Sequence, residues 1–80
     1  MQIPVIKSLV EMYSQEELVN AEENLAEEQE PAIKIEGEDE GEKLTHVFAA
    51  IWILDAMNKD GLEFKKALRA FTQKVRSSIN

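Results

Sequence analysis

VFAAIWIL, from Val47 to Leu54, is eight apolar residues without a break in a chain that is otherwise polar and acidic. A surface helix carries apolar residues along one stripe only, so a segment that is apolar all round has to be covered on nearly every side. Ala49 and Ala50, with no Gly or Pro from Glu42 to Asn58, favour a helix over a buried strand. The spacing predicts a helix from about Gly41 or Glu42 to Asn58. In a chain of 80 residues such a rod is either the central element, with everything else wrapped around it, or a surface shared with a second copy. It says much about architecture and little about chemistry.

Three further helices read outward from it. Pro4 suits the opening turn of a helix, where its missing N–H has no partner to lose. Val5, Ile6, Leu9, Val10 and Tyr13 follow at helical spacing; the competing reading is a short strand over Ile3–Ile6. Ser14 with Glu17 three residues on forms a capping box. It opens a second helix whose apolar stripe is Leu18, Ala21 and Leu25. Seven glutamates lie between Glu16 and Glu30. Those at Glu27 and Glu28 oppose the helix dipole near its C-terminus, and Pro31 closes the segment. Asn58-Lys59-Asp60-Gly61 ends the central helix, and Asp60 with Glu63 reads as another capping box. The last helix, Leu62 to about Ser78, is the clearest amphipath: Phe64, Ala67, Leu68, Phe71, Val75 and Ile79 share one face.

Between the second and third helices, Ala32–Glu36 (AIKIE) alternates apolar and polar residues, the period of a strand with one buried face. Only residues 2–6 could pair with it inside the chain. An extended strap lying across helices on Ile33 and Ile35 is an equal alternative. Glu36 to Lys43 (EGEDEGEK) reads as a solvated turn. The fold expected is mostly α: one small domain over residues 1–80, a bundle of about four helices with a short extended segment near 32–36. The alternative is an α+β arrangement in which 2–6 pairs with 32–36.

Composition narrows the function classes. An 80-residue domain buries only about 60% of its unfolded surface, so its core is small. There is no cysteine, which removes disulfides and thiolate metal sites and favours a reducing interior. MQIPVIKSLV lacks the charged lead and long apolar run of a signal peptide. The eight-residue apolar run is far short of the ~20 residues needed to cross a bilayer. The expected location is the cytoplasm, with no membrane partner. The net charge of −7 is uneven: residues 1–43 carry 13 acidic and 3 basic residues, residues 44–80 carry 3 and 6. An acidic chain repels phosphate backbones, which speaks against general nucleic-acid binding. The two halves can instead lie against one another, within a molecule or between copies.

A resemblance rests on the two ends. Ile3-Pro4-Val5-Ile6-Lys7-x-Leu9-Val10 opens the chain. Lys59-Asp60-Gly61, Lys65-Lys66-Ala67-Leu68, Phe71 and Lys74-Val75-x-x-Ser78-Ile79 close it. Together they resemble a family of short, uncharacterised bacterial proteins with a PVIK-type start and a DG-x-x-KKEAL-x-x-F-x-x-RV-x-x-SI-type end. The stretch from Glu28 to Glu42 departs from that pattern. The resemblance implies a small helical protein and no assigned activity.

Few residues invite chemistry. Glu36, Glu38, Glu40 and Gly41 mimic the opening of a calcium-binding loop, but the required twelfth-position carboxylate is replaced by Val47. His46, the only histidine, sits four residues after Glu42. The two make either an i, i+4 pair at a helix start or the beginning of a polar site with Thr45 and Asp55. A zinc site would need three or four ligands, and no third nitrogen or sulfur is at hand. Asp55 follows the stripe Leu44, Phe48 and Ile51, and Arg69 or Lys66 could pair with it. Phe48, Ile51, Trp52 and Tyr13 are the candidate interface residues, with core packing and a dimer seam equally open for Trp52. Lys65, Lys66, Arg69 and Arg76 form a basic face without interleaved aromatic residues. No catalytic residue, metal ligand or cofactor is expected.

The preferred function is a non-enzymatic protein–protein interaction module acting as a homodimer. The next reading is a regulator whose basic face docks on nucleic acid or an acidic protein. A small metal-binding protein or enzyme using Glu42, His46 and Asp55 ranks third, because so short a chain has little room for a deep pocket.

Overall fold

Covering the apolar rod takes three neighbours. The computed structural model describes residues 2–79, with only the backbone of Ser78 and Ile79. It contains four helices, α1 (Ile3–Met12), α2 (Gln15–Ala26), α3 (Glu40–Asp60) and α4 (Phe64–Ile79), and no strand among the described residues. The first, second and fourth helices all pack on α3 and touch one another only marginally. Along α3 the buried residues are His46, Val47, Ala49, Ala50, Ile53 and Ala56. Its alanines keep the rod slim, so neighbouring backbones can approach it closely. Among the buried residues that the other helices bring to the core are Ile6 of α1, Leu18 of α2, and Ala67 and Phe71 of α4.

The pairing of 2–6 with 32–36 does not form. Ile3 and Pro4 enter the first turn of α1, where the Gln2 carbonyl accepts from the N–H groups of Val5 and Ile6 at 3.1 and 3.2 Å. Once one strand candidate is helical, the other has no ladder to join. Residues 32–36 run as an unpaired strap that buries Ile35, half-buries Ile33 and passes between α1 and α2.

The helix ends follow local chemistry. Ser14 and Glu17 close the expected capping box at 2.9 and 3.2 Å. The C-terminus of α2 makes a full Schellman turn, with Gln29 N–H donating to the Asn24 carbonyl at 2.7 Å and Glu28 N–H to Leu25 at 3.1 Å. Glu28 thereby takes a φ of 60°, a position usually filled by glycine. The central helix starts earlier than the sequence suggests. Asp39 caps it by accepting from Glu42 N–H at 2.7 Å, while the Glu42 carboxylate accepts from Glu38 N–H at 2.9 Å. Part of the acidic turn is therefore the helix start. At the other end Gly61, with φ 66°, stops α3 after Asp60. Because Asp60 is still helical, the expected box with Glu63 does not form; the Glu63 carbonyl instead accepts from Ala67 N–H at 3.0 Å.

Two substitutions test these backbone assignments by thermal or urea unfolding. A Cβ on Gly37 would lie 2.8 Å from Lys43 Cγ and 3.0 Å from its backbone nitrogen. Gly37→Ala is expected to destabilise the fold by about 1–3 kcal/mol, the usual cost of overpacking. Glu28→Gly relieves a left-handed conformation and is expected to stabilise by roughly 0.5–1 kcal/mol. The opposite sign for either would refute the corresponding geometry.

Candidate interaction surface

His46 is the one buried polar side chain among the described residues, with 0% of its surface exposed. Its Nε2 lies 2.9 Å from the Gln2 backbone nitrogen and its Nδ1 lies 2.8 Å from the Glu36 carbonyl oxygen. A backbone N–H can only donate and a carbonyl can only accept. The ring is therefore neutral, with its proton on Nδ1. One imidazole thus clips three chain segments together: the start of α1, the end of the strap, and α3. Both nitrogens are engaged by backbone groups, which leaves neither lone pair for a metal nor a proton-transfer role. Among the described residues no three His, Cys, Asp or Glu side chains gather where they could hold a metal ion.

The other polar candidates do not converge on the histidine. Thr45 is exposed and its Oγ1 donates to the Gly41 carbonyl at 2.9 Å. Glu42 belongs to the cap described above. Asp55 is exposed and lies nine residues from His46, about 13 Å along the helix. Lys65, Lys66, Arg69 and Arg76 are all exposed on α4. In the acidic turn that mimics a calcium loop, Asp39 and Glu42 are engaged in capping, and Val47 is fully buried.

The apolar candidates separate into two places. Tyr13 is half-buried in a small groove with Val5, Leu9, Met12 and Lys34. Trp52 is half-buried and packs on Phe71, ring centroids 5.7 Å apart and planes tilted by 55°. Ile51 is half-buried as well. Phe48 is different: 55% of its surface is exposed. Between Leu44 and Met57 only Thr45, Phe48 and Asp55 are exposed, a narrow seam that the three covering helices leave open. Phe48 lines a groove of about 380 Å³. Its floor is Leu44, Thr45 and Phe48 of α3, one wall is Glu22 and Ala26 of α2, and the other is Phe71 and Val75 of α4. Val75 is itself 43% exposed.

The apolar spacing puts Phe71 and Val75 on one face of α4, while Glu22 lies off the Leu18, Ala21 and Leu25 stripe of α2. No sequence signal joins them into one groove. The run from Val47 to Leu54 is apolar in every direction, so it gives no hint of which side lies open.

The clip has a direct spectroscopic test, because the chain holds a single histidine. Long-range ¹H–¹⁵N correlation at neutral pH is expected to show the Nδ1-protonated tautomer; the Nε2-protonated form would contradict the bonding described. His46→Phe should cost about 1–3 kcal/mol of unfolding free energy, since it removes the partner of one part-buried donor and one part-buried acceptor.

No helix among the described residues is long and apolar enough to cross a membrane. No curated protein and no solved structure matches the chain. The chain matches the family of unknown function DUF6952 over residues 1–80, and so it belongs to that family.

Proposed function

We propose that this protein is a non-enzymatic interaction module that acts as a homodimer through the groove around Phe48. The observation that carries the reading is the exposure of a large aromatic ring at the centre of the only open seam on α3 between Leu44 and Met57. Scattered exposed apolar residues are ordinary, but Phe48, Val75 and the half-buried Leu44 are contiguous in one concave surface. Aromatic residues in such positions are the usual anchors of protein interfaces. A second copy is the favoured occupant because the same chain supplies both an acidic and a basic surface beside the groove. The histidine, engaged by the backbone at both nitrogens, supports a structural rather than a chemical use of the interior.

Sedimentation equilibrium over a wide concentration range tests the reading. The wild-type chain is expected to pass from monomer to dimer. Phe48→Lys, at an exposed position, is expected to stay monomeric with helicity unchanged and to melt where the dilute, monomeric wild type does. A wild-type monomer at all concentrations, or a variant that dimerises as well as wild type, would refute it.

A further inference from the structure

The walls of the groove carry opposite charges. On α2, Glu22 and Ala26 line the groove, and each follows a buried residue of the core stripe, Ala21 or Leu25. One residue further round, by 100° and away from the core, come Glu23 and Glu27, with Glu16 two turns earlier on the same stripe; all three are exposed. On α4, Phe71 and Val75 line the groove, and Leu68 and Phe64 continue the ridge of Val75 toward the start of the helix. The stripe one residue beyond it is Lys65, Arg69 and Arg76, again all exposed. An apolar floor is thus flanked by an acidic rim on one side and a basic rim on the other.

We infer that the two copies dock in parallel, related by a two-fold axis running along the groove in the direction of α3, with the Glu16–Glu23–Glu27 rim of each copy against the Lys65–Arg69–Arg76 rim of the other. The inference rests on the homodimer reading given above. The reasoning is one of symmetry. A closed dimer uses the same patch on both subunits, and its axis lies in the plane of contact. If the axis runs across the groove, each wall meets its own counterpart, acid on acid and base on base, which repels. If the axis runs along the groove, the walls exchange, and both rims meet an opposite charge. Like-charge juxtaposition is a strong discriminator between docking modes, while rim pairs add mainly orientation and association rate. The parallel mode also brings Phe48 of each copy to the same height, so the two exposed rings cover one another.

The test uses the full chain and two charge-reversed variants, one carrying Glu16→Lys, Glu23→Lys and Glu27→Lys, the other Lys65→Glu, Arg69→Glu and Arg76→Glu. Circular dichroism checks that each folds, and sedimentation reads association at low salt. Each variant alone is expected to dimerise at least tenfold more weakly than wild type, because both of its rims meet a like charge. Mixed in equal amounts they are expected to form a heterodimer. Raising salt from about 50 mM to 0.5 M, where the Debye length falls severalfold, should weaken the wild-type dimer. A wild-type dimer that tightens with salt, or variants that self-associate undiminished, would overturn the parallel arrangement while leaving the homodimer standing. A wild-type chain that never dimerises would overturn both.

Discussion

The structure depends on one constraint: a helix with an apolar run on every side must be enclosed, and the described residues offer three other helices and a strap with which to do it. Each of α1, α2 and α4 buries its own narrow stripe against α3 and makes little contact with the others. The core is therefore a radial one, organised around Val47, Ala50 and Ile53 rather than between layers. Three helices around a fourth cannot close the circle, and the gap that remains runs along Thr45, Phe48 and Asp55. Two of those residues are polar, as an open seam requires. The third is a phenylalanine, and the functional reading grows from that mismatch.

Burying a rod also buries backbone, and the polar groups that come with it have to be satisfied. The strap between α1 and α2 replaces a direct helix–helix contact, but an unpaired extended segment brings carbonyls with it. His46 resolves this at the point where strap, first helix and central helix meet. Its Nδ1–H donates to the Glu36 carbonyl and its Nε2 accepts from the Gln2 amide, and no buried side-chain polar atom among the described residues is left unpaired. Gly37, immediately after, lets the strap pass against the first turn of α3. The clip is thus a positioning device for α1, whose own N-cap, Gln2, offers no side-chain bond.

Much of this was legible in the residues, and what was not has identifiable physical causes. Ser14 and Glu17, the stripe through Leu18, Ala21 and Leu25, and the stop before Pro31 are local signals, and local structure obeys them. The strand alternative for 32–36 was real at the level of period, because an unpaired strap and an edge strand alternate in the same way. Only the helical fate of residues 3–6 decides between them. Asp39 was hidden as a cap by the acidic residues on either side of it. Charge alone does not say which carboxylate turns back to an amide. The role of His46 was hidden for a different reason: its partners are backbone groups 44 and 10 residues away, and backbone atoms leave no mark on a sequence. The groove around Phe48 is likewise a product of tertiary packing, since Glu22, Phe48 and Val75 come from three different helices.

The account stands or falls on α3 being the enclosed centre of the fold. Native-state hydrogen exchange measures this directly, amide by amide. The amides from Val47 to Ala56 are expected to exchange only through global unfolding and to be the slowest in the chain, with α1, α2 and α4 opening at lower free energy. Slowest exchange in α2 or α4, with α3 opening locally while they remain protected, would contradict it.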